Sequence, residues 1–208
     1  GDRIAIVTNA GGPGIMGTDA IENLGLKLAS LTEETQAYLA QNLPAAANVH
    51  NPIDVLGDAL ADRYGMAVEA ALKDPNVDGV LVILTPQVMT QVVESAQAVC
   101  DAVDRMKGCG KPVLGCWMGQ AMTKAGADVL NAHHIPNYQF PERAAATLKA
   151  MSAYRTWRER PAAEYPSLQV DKARVKAVFD KARAEGRLGL GDFEARDVME
   201  AYGLRVPR

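Results

Sequence analysis

Asn9-Ala-Gly-Gly-Pro-Gly-Ile-Met-Gly-Thr-Asp19 follows the short apolar run Ile4-Ala-Ile-Val7 and precedes an amphipathic segment that closes at Gly25. The order reads as strand, glycine-rich turn, helix. Glycines let a ligand approach the backbone, and a helix that starts beside them aims unpaired amides at an anion. Pro13 suits the first turn of that helix, which is expected to reach about Asn23 with Ile15, Ala20, Ile21 and Leu24 as its apolar face.

The same alternation continues along the chain. A second strand is expected over Leu26–Leu31, then a helix capped by Thr32 that stops before Pro44. Asn48 to Asp58 is extended around Pro52, and Gly57-Asp58 opens a helix, Ala59–Lys73, that buries Tyr64, Ala67, Val68, Ala71 and Leu72. Val77–Leu84 is nearly all apolar, as a central parallel strand buried on both faces must be. Thr85-Pro-Gln is read as the cap of a helix carrying Val88, Val92, Ala96, Val99 and Val103. Another strand follows over Pro112–Trp117, then a helix from Gly119 to about Asn131. A short strand is expected at Ile135–Tyr138, and a helix from Pro141 towards Trp157. Strands alternating with helices of this length define an α/β fold with an open parallel sheet of flavodoxin-like or Rossmann-like type.

The character changes near Arg155–Pro161, where charge rises and prolines recur. The expected organisation is a flavodoxin-like domain over residues 1–158, a linker over 159–169 and a short helical extension over 170–208. Both ends have the look of a cut from a longer protein.

Composition excludes several functions. A net charge of −3 leaves no basic footprint for nucleic acid. No apolar run approaches the length of a membrane span and no signal peptide opens the chain. The three cysteines are odd in number and lack metal-site spacing, so they are read as reduced thiols of a cytoplasmic protein.

Competing chemistries remain for the first turn. Gly12, Gly14 and Gly17 satisfy the dinucleotide pattern G-x-G-x-x-G, but the second strand ends in Ser30-Leu31-Thr32, without the acid that would hold a ribose. A P-loop is excluded because no G-K-[ST] follows. A glycine turn that only tightens strand–helix packing is the bland alternative. Asn51-Pro-Ile-Asp54 with Gly57-Asp58 repeats the strand, glycine, helix theme, and in a parallel sheet both turns lie on the carboxyl edge, where ligands bind. Thr85-Pro86 can line the same cleft, while Asp54 and Asp58 equally suit caps of the 59–73 helix. His50 lies near this cleft, and His133 and His134 follow a helix end.

Five spaced motifs carry a resemblance: T-N-A-G-G-P-G-I-M-G-T-D-A (8–20), N-P-I-D-V-L-G-D-A (51–59), D-P-N-V-D-G-V-L-V-I (74–83), K-P-V-L-G-C-W-M-G (111–119) and I-P-N-Y-x-x-P-E-R-A (135–144). Over about residues 1–155 the chain resembles the NDP-forming acyl-CoA synthetases, in particular their succinyl-CoA-ligase-like flavodoxin domain. The tail F-E-A-R-D-V-M-E-A-Y-G-L-R-V-P (193–207) looks like the start of an ATP-grasp domain. The resemblance implies that the whole enzyme joins a carboxylate to CoA, using ATP and Mg, through a phosphohistidine held between helix N-termini of two such domains. It implies that Asn9, Gly11, Gly12, Gly14, Asn51, Asp54, Gly57 and Asp58 bind the phosphate or acyl group, with Gly57 to Ala59 at the start of one of those helices. The phosphorylated histidine and the main CoA contacts are expected on domains before Gly1, the nucleotide site after Arg208, and a homo-oligomer is expected. No tightly bound cofactor and no catalytic residue is expected in this stretch. An alternative from the same resemblance is a regulatory synthetase-like domain in a protein lysine acetyltransferase fusion. In one departure, the succinyl-type subunit has a glycine run where this chain has Leu56-Gly57-Asp58, which sets a carboxylate beside the expected anion.

Overall fold

The computed structural model describes residues 1–207 and divides into two compact units, Gly1–Arg160 and the stretch from Pro161 onward. In the first unit, a parallel sheet carries helices on both faces. Its elements are β1 (Arg3–Thr8), α1 (Gly11–Asn23), β2 (Lys27–Leu28), α2 (Glu33–Asn42), β3 (Ile53–Asp54), α3 (Ala61–Lys73), β4 (Gly79–Leu84), α4 (Val92–Arg105), β5 (Val113–Trp117), α5 (Lys124–Ala132) and α6 (Pro141–Glu159). The strand order is β2-β1-β4-β5, with β3 also on β1.

Alternation along the strands sorts the core into two layers. Ala5, Val7, Val80, Val82, Leu84 and Trp117 face the layer of α2 to α5, whereas Ile4, Ile6, Leu81, Ile83, Leu114 and Cys116 face α1 and α6. The central strand β4 is buried at every residue, as its uninterrupted apolar run requires. Thr32 caps α2 as expected, its hydroxyl accepting from the Thr35 amide.

The edge beside β1 departs from expectation. The strand expected over Leu26–Leu31 shortens to Lys27–Leu28, which pairs with Arg3 and Ile4, and β3 meets β1 at Val7 and Thr8. Between them Asn51 stands in for a strand. Its Oδ1 accepts from the Ile6 amide at 2.9 Å, and its Nδ2 donates to the carbonyls of Ile4 at 2.8 Å and Ala29 at 3.0 Å. A side-chain amide carries the same donor and acceptor as a peptide unit, so it completes the ladder. The strand expected at Ile135–Tyr138 is likewise reduced to a bridge between Gly115 and Asn137.

In the second unit, α7 (Lys172–Ala184) is capped by Asp171, which accepts from the Arg174 amide, and is followed by α8 (Asp192–Ala201). Arg174 pairs with Asp197, and Arg187 with Glu194, across the two helices and their connection.

Candidate functional site

Order reverses in this sheet between β1 and β4: the chain steps from β1 outward to β2, then crosses to β4 on the other side. Open parallel sheets bind ligands at the carboxyl end of such a switch point. The segments that meet there are Asn9–Gly14, Asp54–Asp58 and the Thr85–Gln91 loop.

Helix α1 begins inside the glycine run, at Gly11, rather than after it. Its N-cap is Ala10, which offers no side-chain acceptor, and no acid stands in the first turn. Pro13 has no amide hydrogen and the Gly14 amide already bonds to the Ala10 carbonyl at 3.1 Å. The Gly11 and Gly12 amides are left, on exposed residues and without a partner among the described residues. A helix end in this state carries roughly half a positive charge.

The buried face of α1 keeps Ala20 and Ile21 as expected but not Ile15 or Leu24. Ile15 is 57% exposed, and Gly14, Gly17, Ala20 and Ile21 face inward. A β-carbon at Gly17 would lie 3.2 Å from both Ile6 and Ile83, so the glycine lets α1 sit directly on the sheet. Gly14 does the same against Thr8, at 3.1 Å. Two members of the G-x-G-x-x-G pattern are therefore packing positions, and Gly12 alone of the three opens to space.

Asn9 is buried at 2% exposure, and its side chain crosses the crevice to Thr85. Oδ1 accepts from the Thr85 amide at 2.9 Å and its hydroxyl at 3.1 Å, while Nδ2 donates to the Thr85 carbonyl at 2.9 Å. The clamp closes the gap between β1 and β4 and fixes where α1 starts. The side chain of Asn51, expected to touch the ligand, uses its two amide hydrogens on the Ile4 and Ala29 carbonyls.

The 54–58 turn also differs from expectation. Helix α3 starts at Ala61, with Leu60 extended before it, so Gly57, Asp58 and Ala59 precede the helix rather than begin it. The reason is local. Asp54 Oδ1 accepts from the Leu56 amide at 2.9 Å, Leu56 takes the left-handed value φ 75°, and the Ala59 amide closes back on the Leu56 carbonyl. A bulky residue at positive φ is rare and is held only where its surroundings over-determine it. Neither Asp54 nor Asp58 caps α3. Asp58 pairs with Arg63 at 2.7 Å, and that guanidinium, bonded to it, holds the Asp58 carboxyl below its usual range. A β-carbon at Gly57 would stand 3.8 Å from both the Asn9 carbonyl and Gln87, and one at Gly11 would stand 3.9 Å from Asp54 Oδ2. The three edge segments are thus in one place.

The helix expected to begin at Thr85 starts at Val92. Val88, counted on its apolar face, is fully exposed on the preceding loop. Arg63 escaped sequence reasoning altogether. The available signal was a cation in the first turn of a helix, against the dipole.

Other chemistries find no support in the geometry. Burial pushes the Cys116 thiol up to about 12 and the Cys100 thiol up to about 11, with carboxylates nearby adding to both, so neither is a ready nucleophile. His133 Nδ1 lies 3.0 Å from the Val129 carbonyl at the end of α5. No group of three or more His, Cys, Asp or Glu is placed to hold a metal ion among the described residues. No helix among them is long and apolar enough to cross a membrane.

Residues 4–163 match the family model of the Ligase-CoA domain. The chain is 34% identical over 206 residues to acetate–CoA ligase [ADP-forming] I of Archaeoglobus fulgidus, covering 98% of this chain and 28% of that protein. It is 39% identical over 154 residues to the α subunit of acetate–CoA ligase [ADP-forming] II of Pyrococcus furiosus, covering 73% of this chain and 33% of the subunit. The dinucleotide-forming acetyl-coenzyme A synthetase 1 of Ca. Korarchaeum cryptofilum, solved in complex with phosphate and ADP, superposes with a TM-score of 0.70 at 32% identity. That match covers 76% of this chain and 34% of the synthetase chain. The chain thus spans about a third of the length of the relatives it matches. With a doubly covered parallel sheet of flavodoxin-like order and a family match over most of its length, this chain belongs to the Ligase-CoA domain family of the NDP-forming acyl-CoA synthetases.

Proposed function

We propose that this chain is the Ligase-CoA unit of a larger ADP-forming acyl-CoA synthetase, in which the α1 N-terminus holds the phosphoryl or carboxylate group in transit. The observation that carries the reading is the uncapped end of α1, where the Gly11 and Gly12 amides have no partner among the described residues at the switch point of the sheet. Fixed backbone donors of this kind stabilise an anion without a reorganisation cost at the moment of reaction. The reaction joins a carboxylate to CoA with ATP, giving acyl-CoA, ADP and phosphate. A histidine outside this stretch carries the phosphoryl group, and the substrate carboxylate takes it as an acyl phosphate. The CoA thiol then displaces phosphate from the acyl carbon. This chain contributes electrostatics and position, while the phosphorylated histidine, CoA and the ATP-grasp nucleotide site belong to neighbouring domains. The helical second unit is the beginning of that ATP-grasp region.

The test is Gly12→Asp in the full-length protein. A side chain there meets open space, so folding is retained, and its carboxylate occupies the helix end. ATP-dependent acyl-CoA formation is expected to fall by about 100-fold, the order lost when one oxyanion donor is removed. Unchanged turnover rejects the assignment.

A further inference from the structure

The β1–β4 ladder runs in register as far as Thr8 and Ile83, and past that point a side chain takes over the pairing. Asn9 Oδ1 accepts from the Thr85 amide and its Nδ2 donates to the Thr85 carbonyl, both at 2.9 Å, which is the donor and acceptor pair of a peptide unit. The main chain of Asn9 makes no hydrogen bond to another backbone group among the described residues. The backbone therefore leaves the sheet here while the rung is still made. Thr8 fixes the next step: its hydroxyl accepts from the Ala10 amide at 3.1 Å and donates to the Ala10 carbonyl at 2.9 Å. Thr8 is fully buried and Asn9 is 2% exposed. Buried polar groups keep their partners, so both side chains are restricted to one arrangement. Gly11 and Gly12 follow directly, with no side chain to steer them, and glycine has the most freely varying backbone. The direction of their amides is set from upstream.

We propose, resting on the anion-binding reading above, that Asn9 is a positioning residue for the phosphoryl or carboxylate group. Its side chain is buried and spent on Thr85, so it acts through that partner and not by touching the ligand. It lets the chain turn out of the sheet at one fixed place, and the Gly11 and Gly12 amides then hold one direction before the anion arrives. Donors preorganised in this way stabilise charge without a reorganisation cost, unlike donors that must be gathered on binding. Alanine at position 9 leaves the Thr85 amide and carbonyl without this partner and unties the end of β1 from β4. The two glycine amides then sample several directions.

The experiment titrates the 208-residue chain with inorganic phosphate while the Gly11 and Gly12 amides are followed by nuclear magnetic resonance. Asn9→Ala is expected to weaken the phosphate Kd about 10-fold or more, the order set by one preorganised donor pair losing its direction. It is also expected to speed hydrogen exchange at the Gly14 amide, which bonds to Ala10 at the start of α1. Leu39→Ala controls for lost stability, because Leu39 is fully buried on α2, outside the three edge segments. It is expected to lower the urea midpoint while changing the Kd less than about 2-fold, since it leaves the end of β1 intact. Should Asn9→Ala not fold, Asn9→Ser takes its place with the same loss expected, its amide spectrum reporting the fold. A Kd equal to the parent's in the folded Asn9 variant, or an equal loss in Leu39→Ala, overturns the positioning role and leaves Asn9 a staple between strands. The parent chain keeps the two claims apart. If phosphate does not shift its Gly11 and Gly12 amides, the α1 site itself fails and the positioning role with it. If they shift and the Asn9 variant binds as tightly, the positioning role alone fails.

Discussion

A methyl group added at Gly12 meets nothing within 4 Å, whereas one at Gly17 would press on Ile6 and Ile83 at 3.2 Å. Positions that a motif treats alike thus separate into an open helix end and a packing contact. Gly12→Asp is expected to raise stability by about 0.5–1 kcal/mol, through better helix propensity and a favourable charge near the N-terminus. A rise in the urea midpoint alongside lost turnover marks a residue placed for a ligand at some cost to the fold. Asn51 carries the opposite balance. Asn51→Ala strips three hydrogen bonds from β1 and its neighbour and is expected to cost about 2–4 kcal/mol. Asn51→Asp should cost at least as much, because a carboxylate cannot donate to the Ile4 and Ala29 carbonyls. Equilibrium unfolding in urea decides both; an Asn51→Asp protein as stable as the parent contradicts the strand-substitute role.

Between elements, approach distances are set by small residues that hydrophobic periodicity does not weigh. The close contact of α5 with α4 depends on Gly126, where a β-carbon would sit 2.5 Å from the Val92 carbonyl. Gly126→Ala is expected to destabilise by about 1–3 kcal/mol despite its better helix propensity, because backbone cannot step aside. Most elements were legible in the sequence: the apolar run of β4, the buried stripe of α3 and the Thr32 cap are local signals that survive in the structure. The errors share a cause. Ile15 and Val88 were placed inward by period, but Gly14 and Gly17 make the real contact of α1, and the loop after Pro86 keeps Val88 outside α4. The strand expected to Leu31 ends early because a side chain 23 residues after Leu28 takes its place on β1. At the site, the glycine turn, Asp54 and Thr85 were legible as edge residues. The left-handed Leu56 and the Arg63–Asp58 pair were not, since both arise from tertiary contacts.

At the scale of the whole molecule, the first unit contains the complete sheet and both of its core layers, so it needs nothing from the second to bury its apolar strands. Ending the chain at Arg160 is expected to leave the urea midpoint of the first unit unchanged. The amino edge of the sheet is tied by Asp78, which accepts from the Asp2 and Arg3 amides and pairs with the Arg3 guanidinium at 2.8 Å. Hydrogen bonding from Arg3 holds the Asp78 carboxyl well below its usual value of 3.8, against the opposing pull of burial. A depressed folded value means that this stabilisation is fully present above about pH 4 and is lost progressively as pH falls below the unfolded value. Asp78→Asn is therefore expected to flatten the acid limb of the stability profile below about pH 4; an unchanged limb assigns acid sensitivity to other carboxylates. The central claim concerns the opposite edge, where an uncapped helix waits at the switch point. Titrating the chain with phosphate while following backbone amides tests it most directly. The account predicts that the Gly11 and Gly12 amides shift first and furthest, and saturate together. Shifts confined to other residues, or none at millimolar phosphate, contradict it.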